Sequence, residues 1–439
     1  MLQKVSYSGG QADDLDECPP ERRAFKHMTP AFEDEPVELV DDDLGDDELG
    51  ENELGEDILT AADVADVVTY TLDWSVQSLL EKIGTTFDIN PAFQRRDAWN
   101  GTRKSLYIES LMLGLPVPQI VLAEDRHQKG RFIVLDGKQR LVTMKQFAKP
   151  NDNYKALSLG KLQFLTQFKG KTFAKIQKME EGDAWLESFL AQPVRTIVVR
   201  NWGKAAVLYQ IFVRLNQYSV PLSAQELRQA LFPGEFTTWI NNRSIESKAI
   251  RKARRLKAPD FRMRDAEMLL RTVAFQDRLE EYSGNLREFL DDSCELGNRN
   301  WSSRSEEFEM LAKACERAIA YTFIIFGESA FYRYEGSGTE AGYIRRFNIA
   351  VYDLMCAVFS ATEIDGAAIV DNAAALRGAF EKLCVEDQRF QDTIKSTTKT
   401  EAATSERIIR YGTLVQEIIG IELSVLDSAK NLLAGTKGE

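Results

Sequence analysis

Histidine is nearly missing from this chain: there are two, His27 and His127, among 439 residues. Two imidazoles cannot supply both the general base and the metal ligands of a histidine-dependent metal nuclease, and no Ser–His or Cys–His arrangement is apparent. Cysteine is scarce as well. Cys18, Cys294, Cys315, Cys356 and Cys384 are scattered with no C-x-x-C pair, which argues against zinc and for reduced intracellular thiols. There is no phosphate loop of the G-x-x-x-x-G-K-S/T type, no apolar run long enough to cross a bilayer and no basic-then-apolar leader. A cytoplasmic protein without membrane contact is expected.

Charge is present but unevenly placed. Residues 1–65 hold 20 acidic and 4 basic side chains, leaving 48 acidic and 51 basic in residues 66–439. The acidic balance therefore belongs to a tail, and the body is nearly neutral. In that tail Leu44-Gly45, Leu49-Gly50 and Leu54-Gly55 recur every five residues among Asp and Glu. Such a segment cannot bury enough apolar surface to offset its ordering entropy, so a disordered, solubilising tail is expected. Mimicry of DNA toward a basic groove, or binding to a basic partner, is the alternative. The remaining length supports a two-domain body, 66–232 and 233–439.

The most informative segment is Arg131-Phe-Ile-Val-Leu-Asp136-Gly137-Lys138-Gln139-Arg140, continuing to Phe147. It reads as a buried strand, a glycine turn and an amphipathic helix. A turn of this kind directs backbone N–H groups and the positive helix end at one point, which suits a phosphate. Asp136 could instead hold magnesium or orient a water. The plain structural alternative is a βα turn in which Asp136 caps the helix. Upstream, Pro91-Ala-Phe-Gln94-Arg95-Arg96-Asp97-Ala-Trp99 is a short extended segment, with Trp99 read as a packing anchor. A helix from Arg103 to Leu113 follows, then a strand over 119–123.

These boxes resemble the ParB/sulfiredoxin-like N-terminal domain of GmrSD-type modification-dependent restriction enzymes. Its P-x-[YF]-Q-R…W box appears as Pro91 to Arg95 with Trp99, and its D-G-Q-Q-R box as Asp136 to Arg140, with Lys138 replacing Gln. An F-x-R-L-N…L-S-x-x-E pattern appears as Phe212-Val-Arg214-Leu-Asn216…Leu222-Ser-Ala-Gln-Glu226, and a trailing segment as Arg262-Met-Arg264-Asp265-Ala-Glu267…Arg271. The resemblance implies binding, and hydrolysis, of a nucleoside triphosphate in an anti-phage system coupled to DNA. Carried over by position, Asp136, Gln139 and Arg140 form one wall of the site, faced by Gln94 and Arg95. Gly137 and Lys138 are added for phosphate, and Asp136 for magnesium. Ser223 to Glu226 is also a helix-capping box, which explains both residues without any ligand. Arg214 and Asn216 could line the site or fix a turn. Members of this family usually cut with an HNH-type domain. Two histidines cannot build one, so cutting is expected of a separate nuclease subunit.

Beyond Arg195–Arg200, read as a strand, the chain turns helical, with helices expected over 204–215, 223–231, 262–278, 305–326, 343–360, 367–383 and 405–433. Arg251, Lys252, Arg254, Arg255 and Lys257 form the densest part of a basic span that suits a nucleic-acid backbone or, alternatively, a solvated face. The apolar stripe of the last helix suits core packing, with homodimerisation as the other use. The expected fold is α+β: a mixed α/β domain followed by a mainly helical one. The competing functions are an NTP-handling regulatory component, a DNA-binding module without turnover, and a metal-dependent nuclease.

Overall fold

The computed structural model describes residues 59–87, 99–126, 128–152, 154–216, 223–260, 262–336, 340–395 and 399–435. Residues 1–58 of the acidic tail, both histidines and the box holding Gln94 and Arg95 lie outside them, while the last residues of the tail form a short helix, Ala61–Ala65, with Asp63 paired to Lys204. The first domain is built on a four-stranded mixed sheet of order β1-β4-β2-β3, from β1 (Val68–Ser75), β2 (Ile120–Glu124), β3 (Phe132–Asp136) and β4 (Pro193–Arg200). β4 runs antiparallel to β1 and parallel to β2, and β3 returns antiparallel to β2.

Side-chain alternation along β2 gives the sheet two faces. Ile120 and Leu122 enter one core with Val194 and Val198, against α1 (Val76–Lys82), α2 (Gly101–Met112), α3 (Lys138–Ala148) and α4 (Gly182–Ala191). Val121 and Ala123 enter a second core with Leu135 and Val199, against α5 (Ala205–Asn216) and α6 (Ala224–Leu231). A sheet covered on both faces explains why β2 and β3 read as continuous apolar runs. A loop segment completes the first core. The buried Glu109 carboxylate of α2 accepts the backbone N–H groups of Gln163, Phe164 and Leu165 at 2.7–3.0 Å, fixing this stretch without secondary structure.

The second domain is helical: α7 (Glu235–Glu246), α8 (Lys248–Ala253), α9 (Arg264–Arg278), α10 (Leu286–Phe326), α11 (Ile349–Phe359), α12 (Gly366–Glu386), α13 (Gln388–Lys395), α14 (Glu401–Ile419) and α15 (Val425–Gly435). One hairpin, β5 (Tyr332–Glu335) with β6 (Gly342–Phe347), interrupts them. The helix expected over 343–360 therefore starts as a strand and becomes helical only where the Asn348 side chain caps α11, accepting Val351 N–H at 2.9 Å. The helix expected over 405–433 is two. Gly420, at φ 72°, ends α14 in the left-handed conformation, and Ile408, Tyr411 and Val415 pack with Leu426 and Leu432 in the domain core. The apolar stripe is thus largely used in core packing. Helix α10 spans 41 residues, where only its second half was expected.

Cys294, Cys315, Cys356 and Cys384 are buried and unbridged in this domain. Among the described residues no helix is long and apolar enough to cross a membrane. The two domains are joined by buried polar contacts. Arg228 of α6 has no exposed surface and donates Nε to Asp291 Oδ1 of α10 at 2.7 Å, which also accepts Tyr209 Oη–H at 3.2 Å.

Candidate functional site

β3 ends at Asp136, which lies opposite Val121 beyond a register shift in β2. Such irregularities bend a strand and re-aim the side chain at its end. Gly137 follows at φ 99° and is the N-cap of α3, with no side chain to cap the helix. A Cβ there would lie 3.0 Å from Ile120 Cγ1 and 3.3 Å from Ile120 Cα, so both the backbone conformation and the close approach of β2 call for glycine. Asp136 does not cap α3. Its carboxylate turns to Arg140, whose Nη2 lies 3.4 and 3.3 Å from the two oxygens. The Arg140 Nη1 donates to the Gln119 carbonyl at the start of β2. Arg140 is buried and thus ties the turn to the neighbouring strand while holding Asp136, which keeps a quarter of its side chain exposed.

The other box residues point to two sides of this turn. Gln139 is half-buried, and its Oε1 has no hydrogen-bond partner among the described residues. Lys138 is buried and stands close to Glu226. Glu226 closes a reciprocal capping box with Ser223: Oε2 accepts Ser223 N–H at 2.8 Å and Ser223 Oγ accepts Glu226 N–H at 3.1 Å. The capping reading of that motif therefore holds. It is incomplete, because the same carboxyl is fully buried and pushed up to about 7, chiefly by desolvation and further by Asp260, against the pull of Lys138 and Arg262. Asp260 accepts Arg262 N–H at 2.9 Å and pairs with Arg264, and Asp265 is buried at the start of α9. Three sequence boxes that together span more than a hundred positions thus meet around Lys138 and Glu226.

Sequence reasoning missed a second group, on α2. Lys104 is buried, donates to Gln146 Oε1 at 2.8 Å and is brought down to about 8 by desolvation. One turn on, the buried Tyr107 hydroxyl is raised by burial and opposed by the Arg140 charge. Their i, i+3 spacing, on the same face of the helix, was the only available signal. Trp99 packs edge-on to Tyr107, with ring centroids 5.6 Å apart, and lies under Arg103, in keeping with its reading as a packing anchor. Arg214 is exposed on α5, and the Asn216 side chain lies outside the described residues.

The basic span is dispersed. Lys252 and Lys257 are exposed, while Arg251 donates to the Ile245 carbonyl at 2.7 Å, Arg254 lies over Phe347 and Arg255 bonds to Glu328. Among the described residues no three metal-type side chains gather into a ligand set. Magnesium commonly keeps most of its shell in water and substrate phosphates with one or two carboxylates, and Asp136 fits that use.

Residues 76–233 match the family of the GmrSD restriction endonuclease N-terminal domain. Searches of curated proteins and of solved structures found no match.

Proposed function

We propose that this chain, related over residues 76–233 to the N-terminal domain of a GmrSD restriction system, binds and hydrolyses a nucleoside triphosphate at the Gly137 turn as a DNA-coupled regulatory component of such a system. The observation that carries this reading is the uncapped N-terminus of α3, flanked by the Lys138 ammonium and by the partly exposed Asp136. Uncapped first-turn N–H groups and a neighbouring ammonium favour a phosphate. Phosphoryl transfer asks mainly for positioning and charge neutralisation.

In this reading Lys138 and the α3 N–H groups hold the phosphates, Gln139 and Asp136 orient the attacking water, and Arg140 keeps Asp136 in place. Gln94 and Arg95, which lie outside the described residues, are assigned to the phosphates by the family resemblance alone. Magnesium, held by Asp136 and the phosphates, would neutralise charge on the leaving group. DNA is the coupled partner, with the exposed Lys252 and Lys257 as backbone contacts beside Arg251, Arg254 and Arg255, and cutting falls to a separate nuclease subunit.

The test is phosphate release by the purified chain with each of the four NTPs and magnesium, with and without DNA. Turnover lost in both Asp136→Ala and Arg140→Ala is expected. No turnover and no nucleotide binding by the folded protein would overturn the reading and leave a DNA-binding module.

A further inference from the structure

Between the two domains lies a cavity of about 990 Å³, within the size range of small-molecule sites. Its walls differ in chemistry. The α/β wall carries Lys138 and the exposed Arg131. The helical wall carries Trp239 and Trp301, with ring centroids 5.7 Å apart, and the exposed carboxylate of Glu246. Arg243 also reaches this wall, but its Nη1 and Nη2 donate to Glu316 at 2.9 and 2.8 Å and its Nε to Glu309 at 3.1 Å, so its charge is compensated. Gln229 lines the cavity with only 4% of its surface exposed, and its Oε1 has no hydrogen-bond partner among the described residues. A buried amide oxygen is costly unless something supplies a donor.

We infer that this cavity is the nucleobase subsite for the nucleotide whose phosphates are assigned above to the Gly137 turn. The inference rests on that assignment. The ligand it fits has two ends: an anionic end toward Lys138 and Arg131, and a planar ring bearing N–H groups toward the tryptophans, Gln229 and Glu246. A second polyphosphate does not suit the far wall, where carboxylates and aromatic faces meet it. Nucleobases carry N–H donors at the ring edge and stack on aromatic side chains through either face. Because the cavity is walled by both domains, the bound nucleotide would touch β3, α3, α7 and α10 at once. Nucleotide occupancy would thereby bias how the helical domain sits on the sheet domain.

The experiment is calorimetric titration of the full chain, with magnesium, using the best-bound NTP and inorganic tripolyphosphate in parallel. Trp301→Leu is expected to weaken the nucleotide by about tenfold, the scale of one lost base–aromatic stack, and to leave tripolyphosphate unchanged. Thr238→Trp, at an exposed position lining the cavity, blocks the space without touching the core and should do the same. It carries the test if Trp301→Leu does not fold. Unchanged nucleotide affinity in the folded variants, or an equal loss for tripolyphosphate, would overturn the subsite while leaving the phosphate assignment standing. Failure of the wild-type chain to bind either ligand would remove both.

Discussion

Two arginine–aspartate pairs, one in each domain, show what separates framework from site in this molecule. In the helical domain Arg271 of α9 grips Asp353 of α11, with Nε 3.1 Å from Oδ1 and Nη2 on Oδ2, and both side chains are almost fully buried. In the α/β domain Arg140 reaches Asp136 from one turn further along the chain, at 3.3 Å, and a quarter of the aspartate side chain remains open. The first pair satisfies two buried charges and has little left over to do. The second leaves a carboxylate oriented but accessible, beside a helix N-terminus without a cap. The same two residue types thus serve packing in one place and presentation in the other, and burial decides which.

The comparison can be broken most forcefully at the closed pair. Asp353→Ala leaves a buried guanidinium without its main counter-ion, and a loss of about 3–5 kcal/mol in urea unfolding is expected. Next in size is a pH effect at the junction of the boxes. The Glu226 carboxyl, ordinarily near 4.5, is held neutral up to about 7 in the folded chain. The folded state therefore binds the extra proton between those values, so this group's contribution to stability falls as pH rises from about 4.5 to 7 and stays low above. Glu226→Gln keeps an acceptor for Ser223 N–H and removes the titration. Its stability relative to wild type should rise by about 3 kcal/mol between pH 4 and pH 8, and a flat difference in denaturation series across that range would refute the assignment.

Gly137→Ala forces a side chain into a left-handed backbone against Ile120. A loss of about 1–3 kcal/mol is expected from denaturation midpoints, with nucleotide binding reduced at the same time. The smallest stability effect should come from the open pair. Asp136→Asn is expected to change unfolding by about 1 kcal/mol or less while abolishing phosphate release. A large stability loss there would make Asp136 a framework residue and erase the contrast with Asp353.

Much of the sheet domain was legible because its signals are local. Phe132 to Leu135 is apolar in every position, Gly137 marks a backbone turn, and Leu141, Met144 and Phe147 recur at helical spacing. Asn348 and Gly420 carried cap signals that would have corrected the two misplaced helices, had more weight been given to them than to apolar periodicity. The first half of α10 was not legible. Residues 291–303 are rich in Asp, Ser, Asn and Gly, which contribute little helix preference of their own. They are helical because Phe289, Leu290 and Cys294 are buried in the core and Asp291 is held by Arg228.

What the sequence by itself determined is the set of boxes, the strand–turn–helix that carries Asp136 to Arg140 and the helical character of the second half. These depend on contacts within a few residues, where spacing and residue type are enough. Only the tertiary structure decided that Asp136 faces Arg140 rather than capping α3, that Lys138 meets Glu226, and that Trp239 and Trp301 share a cavity with Arg131. The last two pairings join residues about ninety to one hundred and seventy positions apart, and the first, only four apart, depends on the Gln119 carbonyl that anchors Arg140 across the sheet. Burial, desolvation and the choice of partner arise only when the chain has packed, so no local pattern encodes them.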